Sequence, residues 1–316
     1  MKHSLALALS LTLSLVVGCG DSSTPSASSG PFRTPTVATL AGGFTAPLDA
    51  APSPDGATIY FIARGGDHGP GLFRVTATGG NAAEVAVGAP FATPRGLAVS
   101  SDGTRIVVAD ATAGTRGGLY VVPASGGAPT LLAGTEGTSP QGLEVVSQNG
   151  ADQVYFTGVA SDGSPAVFQI ALAGGAARVV ARGAMLHHPQ AIAVNRAGVV
   201  FVSARERRHG RRRGAPHRRS AVSALVNNVR LGDPAGITLS PDERVLGVSS
   251  LHPTEGTCQV LLVDVATGMT STFSDVIRAN RAAGGVHRAH GGASTDLAWA
   301  DLTAGGTGVV YRISFR

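Results

Sequence analysis

Pro94-Arg95-Gly96-Leu97-Ala98-Val99-Ser100-Ser101-Asp102-Gly103, answered by Ile106-Val107-Val108-Ala109-Asp110, is the stretch on which the fold turns. A proline opens a short apolar run, a Ser/Asp/Gly cluster reverses the chain, and a β-branched run of strand length follows. The phrase recurs. Pro47-Leu48-Asp49-Ala50-Ala51-Pro52-Ser53-Pro54-Asp55-Gly56 precedes it, and Pro140-Gln141-Gly142-Leu143-Glu144-Val145, Pro189-Gln190-Ala191-Ile192-Ala193-Val194 and Pro234-Ala235-Gly236-Ile237-Thr238-Leu239-Ser240-Pro241-Asp242 follow it. Their opening prolines are 47, 46, 49 and 45 residues apart, a fixed period that marks a repeat architecture.

Each unit continues in the same way. Second runs such as Ile59-Tyr60-Phe61-Ile62 and Val154-Tyr155-Phe156 lead through polar loops to third runs such as Leu72-Phe73-Arg74-Val75 and Leu119-Tyr120-Val121-Val122. Tight turns at Gly79-Gly80, Gly126-Gly127 and Gly174-Gly175 then lead into a weaker fourth run, as in Thr130-Leu131-Leu132-Ala133. Four strands in about 47 residues make a propeller blade. Aligning Leu297-Ala298-Trp299-Ala300-Asp301 with Ile106 to Asp110 places a sixth unit near Gly285, and that unit ends at its third strand, Val309-Val310-Tyr311-Arg312-Ile313. Its missing fourth strand has a match at the other terminus, where Pro35-Thr36-Val37-Ala38-Thr39-Leu40-Ala41-Gly42 parallels Pro129-Thr130-Leu131-Leu132-Ala133-Gly134. The expectation is an all-β, six-bladed β-propeller over residues 36–316, with four-stranded antiparallel blades starting near 47, 94, 140, 189, 234 and 285. The N-terminal strand pairs with the last blade and leaves no open sheet edge in the ring.

Composition agrees. The 44 glycines among 316 residues suit a chain of tight turns, and they show no every-third-residue period of a collagen. Only 14% of residues are charged and 43% are hydrophobic, which excludes a disordered polyelectrolyte and allows a large core.

The first 18 residues read as an address. Lys2 and His3 precede an apolar run from Leu5 to Val17, too short to span a bilayer, which ends at Val16-Val17-Gly18-Cys19. These residues, with the polar Gly20-Asp21-Ser22-Ser23 after them, resemble a bacterial lipobox. The resemblance implies cleavage before Cys19, diacylglycerol on its sulfur, and residues 19–35 as a flexible Ser/Pro-rich tether to a membrane. Gly20 rather than Asp at the next position implies the outer membrane, facing either the periplasm or the cell surface. With Cys19 lipidated, Cys258 has no intramolecular disulfide partner.

The repeated phrase Pro-x-Gly-Ile/Leu-x-Leu/Val-Ser-x-Asp-Gly resembles that of gluconolactonase-like and NHL-like six-bladed propellers, over about residues 36 to 316. In the lactonases a divalent metal in the central channel is held by Glu, Asn and Asp, so the resemblance implies a metal-dependent lactonase-like hydrolase as one reading. This chain departs from that pattern. Pro234-Ala235-Gly236-Ile237 has Ala where the family has Asn, Ala46-Pro47-Leu48-Asp49 lacks the Glu, and Val286-His287 stands where an Asp is expected. No catalytic residue, metal or cofactor is therefore assigned, and the favoured reading is a non-catalytic ligand-binding or protein-interaction module that works as a monomer.

Residues after the blade prolines are expected to line one mouth of the channel. Arg95, Gln141 and Gln190, with His187, His188 and His287 nearby, are the candidate ligand-binding residues for a small polar or anionic ligand or a protein partner. A second candidate is Arg205-Glu206-Arg207-Arg208-His209-Gly210-Arg211-Arg212-Arg213-Gly214-Ala215-Pro216-His217-Arg218-Arg219, which carries eight Arg against one Glu. The whole chain has a formal charge of +5. Without the leader's Lys2 and this segment the charge falls to −3, so the basic character belongs to one stretch. Arg207, Arg208, Arg211, Arg212 and Arg213 are candidates for an anionic surface. No aromatic residue interleaves them, which leaves specific nucleic-acid binding unsupported. A solvated loop and a local frame slip in the gene remain alternative readings of the same residues.

Overall fold

The computed structural model describes residues 13–18, 35–65, 69–183, 186–205, 222–226, 234–252, 257–273, 283–290, 296–302 and 307–315. Described secondary structure is strand throughout, and among these residues no helix is long and apolar enough to cross a membrane. The chain begins with β1 (Leu13–Gly18) and β2 (Pro35–Gly42). A first antiparallel sheet follows, of β3 (Thr45–Pro52), β4 (Thr58–Gly65), β5 (Gly69–Thr76) and β6 (Ala83–Val87). A second comprises β7 (Gly96–Val99), β8 (Arg105–Asp110), β9 (Gly118–Pro123) and β10 (Thr130–Leu131). A third comprises β11 (Leu143–Gln148), β12 (Ala151–Val159), β13 (Pro165–Ala171) and β14 (Arg178–Arg182).

The next unit is β15 (Ile192–Val194), β16 (Val200–Arg205) and β17 (Val222–Val226). It is followed by an antiparallel sheet of β18 (Pro234–Leu239), β19 (Val245–Leu251), β20 (Cys258–Asp264) and β21 (Thr270–Phe273). The last sheet contains β22 (Ala283–Arg288), β23 (Leu297–Asp301) and β24 (Val309–Phe315), with β2 paired antiparallel to β24 at its edge. The architecture is an all-β propeller of small antiparallel sheets.

Five of these sheets are antiparallel with four strands each, which corrects the expectation of six such blades. In the unit near residue 189, β1 lies between β16 and β17 and runs parallel to both. The cause is legible in composition. Between β16 and β17 the chain is arginine-rich where the other repeats carry an alternating apolar third strand, and β1 supplies a short apolar run in that place. Cys19 and the Arg207 to Arg213 candidates lie outside the described residues.

The core sits between neighbouring sheets. Ala51, Ile62 and Leu72 of the first pack on Leu97, Ile106 and Val108 of the second. Val107 and Leu119 of the second pack on Leu143, Val154 and Phe156 of the third. The pattern continues until Ala298, Ala300 and Val310 of the last sheet meet Ala50, Ile59 and Phe61 of the first. Inner strands come very close to one another. A Cβ on Gly96 would stand 2.4 Å from the Gln141 carbonyl oxygen of the next sheet, so only glycine fits there.

The Ser-x-Asp turn has a specific mechanism. Ser100 Oγ donates to Asp102 Oδ1 at 2.5 Å and accepts from Arg105 N at 2.9 Å, closing the connection from β7 to β8. Ser53 with Asp55 and Ser240 with Asp242 repeat the arrangement. The Ser100 hydroxyl, with the Thr104 amide, holds the Asp102 carboxyl down at about 2. Its contribution is present above about pH 4 and is lost as pH falls toward 2. Ser100→Ala is expected to cost about 1 kcal/mol and lower Tm by roughly 2 °C in a thermal melt.

Candidate functional site

The inner strands β3, β7, β11, β15, β18 and β22 bring their residues together around the axis of the propeller. Where the other repeats carry Gly96, Gly142, Ala191 and Gly236 two residues after the opening position, the first carries Asp49. Two residues further on, where Ala51, Ala98 and Ala193 stand, the third repeat carries Glu144 and the last carries His287. Alternation along a strand puts these two positions on the same face.

Asp49 is buried. Its Oδ1 accepts from Ala50 N at 2.9 Å, and its Oδ2 accepts from Leu97 N at 2.8 Å and lies 3.0 Å from His287 Nε2. One carboxylate therefore links three sheets. It fits because position 285 is glycine, since a Cβ there would fall 1.8 Å from Asp49 Oδ1. Glu144, also buried, accepts from Val194 N at 2.6 Å and meets His290 Nε2 at 2.9 Å. Arg288 is 5% exposed and spreads its guanidinium over two sheets. It donates from Nη1 to Ser240 O at 3.0 Å, and from Nη2 to Val194 O at 3.3 Å and to Glu243 Oε1 at 3.2 Å. Arg196 N donates to the same Glu243 at 3.0 Å.

Burial works against a charge on the His287 ring, but Asp49, through its charge and its hydrogen bond, and Glu144 outweigh it and raise the pKa above 6.5. The sign follows. Stability from the Asp49–His287 pair is fully present below pH 6.5 and is lost as pH rises through the raised value. The stability gap between the native chain and Asp49→Asn is expected to narrow over that rise, as followed by denaturant unfolding at a series of pH values.

A small pocket, open to solvent, lies beside this network. His287, Arg288 and His290 line one side, facing apolar residues that include Pro54 and Val99. These are the C-terminal ends of the inner strands. Arg95, Gln141 and Gln190 stand at the opposite, N-terminal ends, where their main-chain amides bond Ala109 O at 2.9 Å, Thr157 O at 3.0 Å and Ser203 O at 2.9 Å. Arg95 is exposed and the two glutamines are half-buried. His187 and His188 meet each other edge to face with ring centroids 4.5 Å apart. His287 is the one member of the expected set found in the axial network. Asp49, Glu144, Glu243, Arg288 and His290 were not among the expected site residues, although a charge at a repeat position held by small residues in most other repeats marks the first two.

The donor set does not fit the divalent metal of the lactonase pattern. The oxygens of Asp49 and Glu144 are occupied by main-chain amides and imidazoles, and among the described residues no three His, Cys, Asp or Glu side chains converge on one point.

No protein-family model matches the chain, and no curated protein sequence does. Solved structures do. A gluconolactonase from Xanthomonas campestris is 18% identical, with a TM-score of 0.65 over 90% of this chain and 91% of that one. The PQQ-bound aldose sugar dehydrogenase of Streptomyces coelicolor is 15% identical, with a TM-score of 0.63 over 90% and 99%. An auxiliary nutrient binding protein from Bacteroides thetaiotaomicron is 12% identical, with a TM-score of 0.58 over 90% and 77%. At such identities the likeness is one of fold.

Proposed function

We propose that this chain is a lipid-anchored propeller of six blades on a bacterial envelope, a non-catalytic module that binds a small ligand or a protein partner. In this reading β15, β16 and β17 make the sixth blade of the lipidated chain, β1 leaving with the leader on cleavage before Cys19, and the pairing of β2 with β24 closes the ring. The observation that carries the functional part is the saturation of the axial carboxylates. Asp49 and Glu144 hold in-chain partners on their oxygens, which suits a structural plug better than an open metal centre.

The second reading, a divergent metal-dependent lactonase, is favoured by the fold likeness to the Xanthomonas gluconolactonase. Hydrolysis of δ-gluconolactone by the purified chain, with and without calcium, zinc or manganese, separates the two. The module reading expects no turnover above the buffer rate with any of these ions, and metal-dependent turnover abolished by Asp49→Asn would overturn it.

The anchor rests on the Val16-Val17-Gly18-Cys19 motif. Palmitate labelling of expressing cells is expected to mark the native chain and to leave Cys19→Ser unmarked. The arginine-rich segment is proposed to rest on an anionic surface. Replacing Arg207, Arg208, Arg211, Arg212 and Arg213 with Gln is expected to weaken binding to phosphatidylglycerol vesicles, and binding that ignores both salt and these changes contradicts it.

A further inference from the structure

We propose that, once the leader is cleaved, the place between β16 and β17 takes up an apolar extended strand from a protein partner, which completes that blade in trans. This deepens the module reading, on which it rests, by naming the kind of partner and where it docks.

What the place accepts is visible in β1. Leu13 to Gly18 lie opposite Val200 to Arg205 of β16, and Leu13 to Val16 lie opposite Val222 to Val226 of β17. A strand held there is bonded along both edges, where addition at a sheet margin bonds only one. Both faces of the place are apolar as well. Val200, Val202 and Ala204 pack with Tyr155 and Val167 of the third sheet, and Phe201 and Val226 pack with Leu246 and Val248 of the sheet that follows. An insert between two such clusters has to be apolar at successive positions, not only at alternate ones. The leader's Leu13-Ser14-Leu15-Val16-Val17-Gly18 carries no charge.

Cleavage before Cys19 takes the whole of β1 with it. Ser203 N donates to Ala191 O on the inner side, so by alternation Val202 and Ala204 turn their amides and carbonyls toward the place β1 leaves. Buried between two sheets, those groups need a new ladder. The chain's own connection supplies a poor one. The step from Pro189 to Pro234 is 45 residues, and counting it on from the buried Ala166, Val167 and Phe168 of β13 gives Arg211, Arg212 and Arg213. Three successive guanidinium groups between apolar clusters would each need a buried counter-charge. Direct pairing of β17 with β16 would shift β17 by one strand spacing, about 4.8 Å, and pull Val222 and Val226 from the clusters they pack on. A protein with a free, uncharged aliphatic stretch about the length of β1 meets both demands.

The test is anisotropy titration of a labelled peptide of Leu11 to Gly18, with two lysines added for solubility, into the chain from residue 19 onward carrying Cys19→Ser. Saturable binding is expected, and the amides of Val202 and Ala204 are expected to exchange roughly tenfold or more slowly in its presence. The same peptide N-methylated at alternate residues loses ladder bonds and is expected to bind roughly tenfold or more weakly. Two chains whose place is already filled are expected to show a similar loss. One retains the leader, and the other has residues 210–216 replaced by the β13 sequence Pro-Ala-Val-Phe-Gln-Ile-Ala. If the leaderless chain does not fold alone, recovery of its near-ultraviolet circular dichroism on adding the peptide supports the proposal, and no recovery overturns it. Absence of saturable binding to a folded leaderless chain, or equal binding by the N-methylated peptide or by the chain with the β13 sequence, would overturn it. So would slow exchange of Val202 and Ala204 without peptide, which places β17 or residues 206–221 on β16. Failure here without lactone turnover leaves the module reading standing, whereas lactone turnover removes that reading whatever the peptide does.

Discussion

Arg288→Ala is expected to destabilise the protein by about 3–5 kcal/mol, the range for breaking a buried charge network from one side. Val194 O and Ser240 O each lose the arginine as a donor, Ser240 O keeping Glu243 N, and Glu243 and Glu144 keep their burial while losing their nearest guanidinium. For a domain of this size the loss corresponds to a fall in Tm of roughly 10 °C. Arg288→Lys is expected to rescue little, because an ammonium is one point and cannot reach both carbonyls and the carboxylate at once. The network reading also predicts coupling. Glu243→Gln in the Arg288→Ala background is expected to recover part of the loss, and strict additivity of the two changes in denaturant unfolding would show that the pair does not act as a unit.

A loss of similar size, about 3–5 kcal/mol, is expected from Trp299→Ala. Trp299 is fully buried among Val260, Leu262, Val286, Leu297 and Ile313, and it stacks on Tyr311 with ring centroids 5.3 Å apart. The site lies where the last sheet packs on its predecessor, so the cavity opens between sheets rather than within one. Trp299 also pairs across the ladder with Val286, the residue before His287. Its removal is therefore expected to loosen the axial pair as well as the core, and the His287 imidazole titration, followed by NMR, is expected to move back toward 6.5. Leu262→Val, which trims the same cluster by one methylene, is expected to cost about 1 kcal/mol and to leave that titration unchanged.

The propeller was legible because its instructions are local and repeated. Pro47, Pro94, Pro140, Pro189 and Pro234 keep one period, and each Ser-x-Asp turn closes on itself through bonds two to five residues apart. The departure came where the pattern lapses. Between β16 and β17 no apolar alternation marks a strand, and nothing local could say that Leu13–Gly18 would lie there, because that pairing joins residues nearly two hundred apart. The site was less legible for the same reason. Asp49 and Glu144 break the small-residue rule of the inner strands, a signal visible in an alignment of the repeats. Arg288 carries no such mark. Its role comes from reaching Val194, Ser240 and Glu243, which three-dimensional closure alone brings near it. Arg95, Gln141 and Gln190 stand at strand entrances, where each main-chain amide bonds the neighbouring strand of its own sheet.

Charged side chains of the inner strands bond to one another around the axis. A crystal structure of the protein grown in millimolar calcium tests it most directly. Asp49 is expected on His287 and Leu97 N, Glu144 on His290 and Val194 N, and Arg288 between Ser240, Val194 and Glu243, with no cation among them. Asp49 and Glu144 turned away from their histidines onto a bound calcium ion would contradict it.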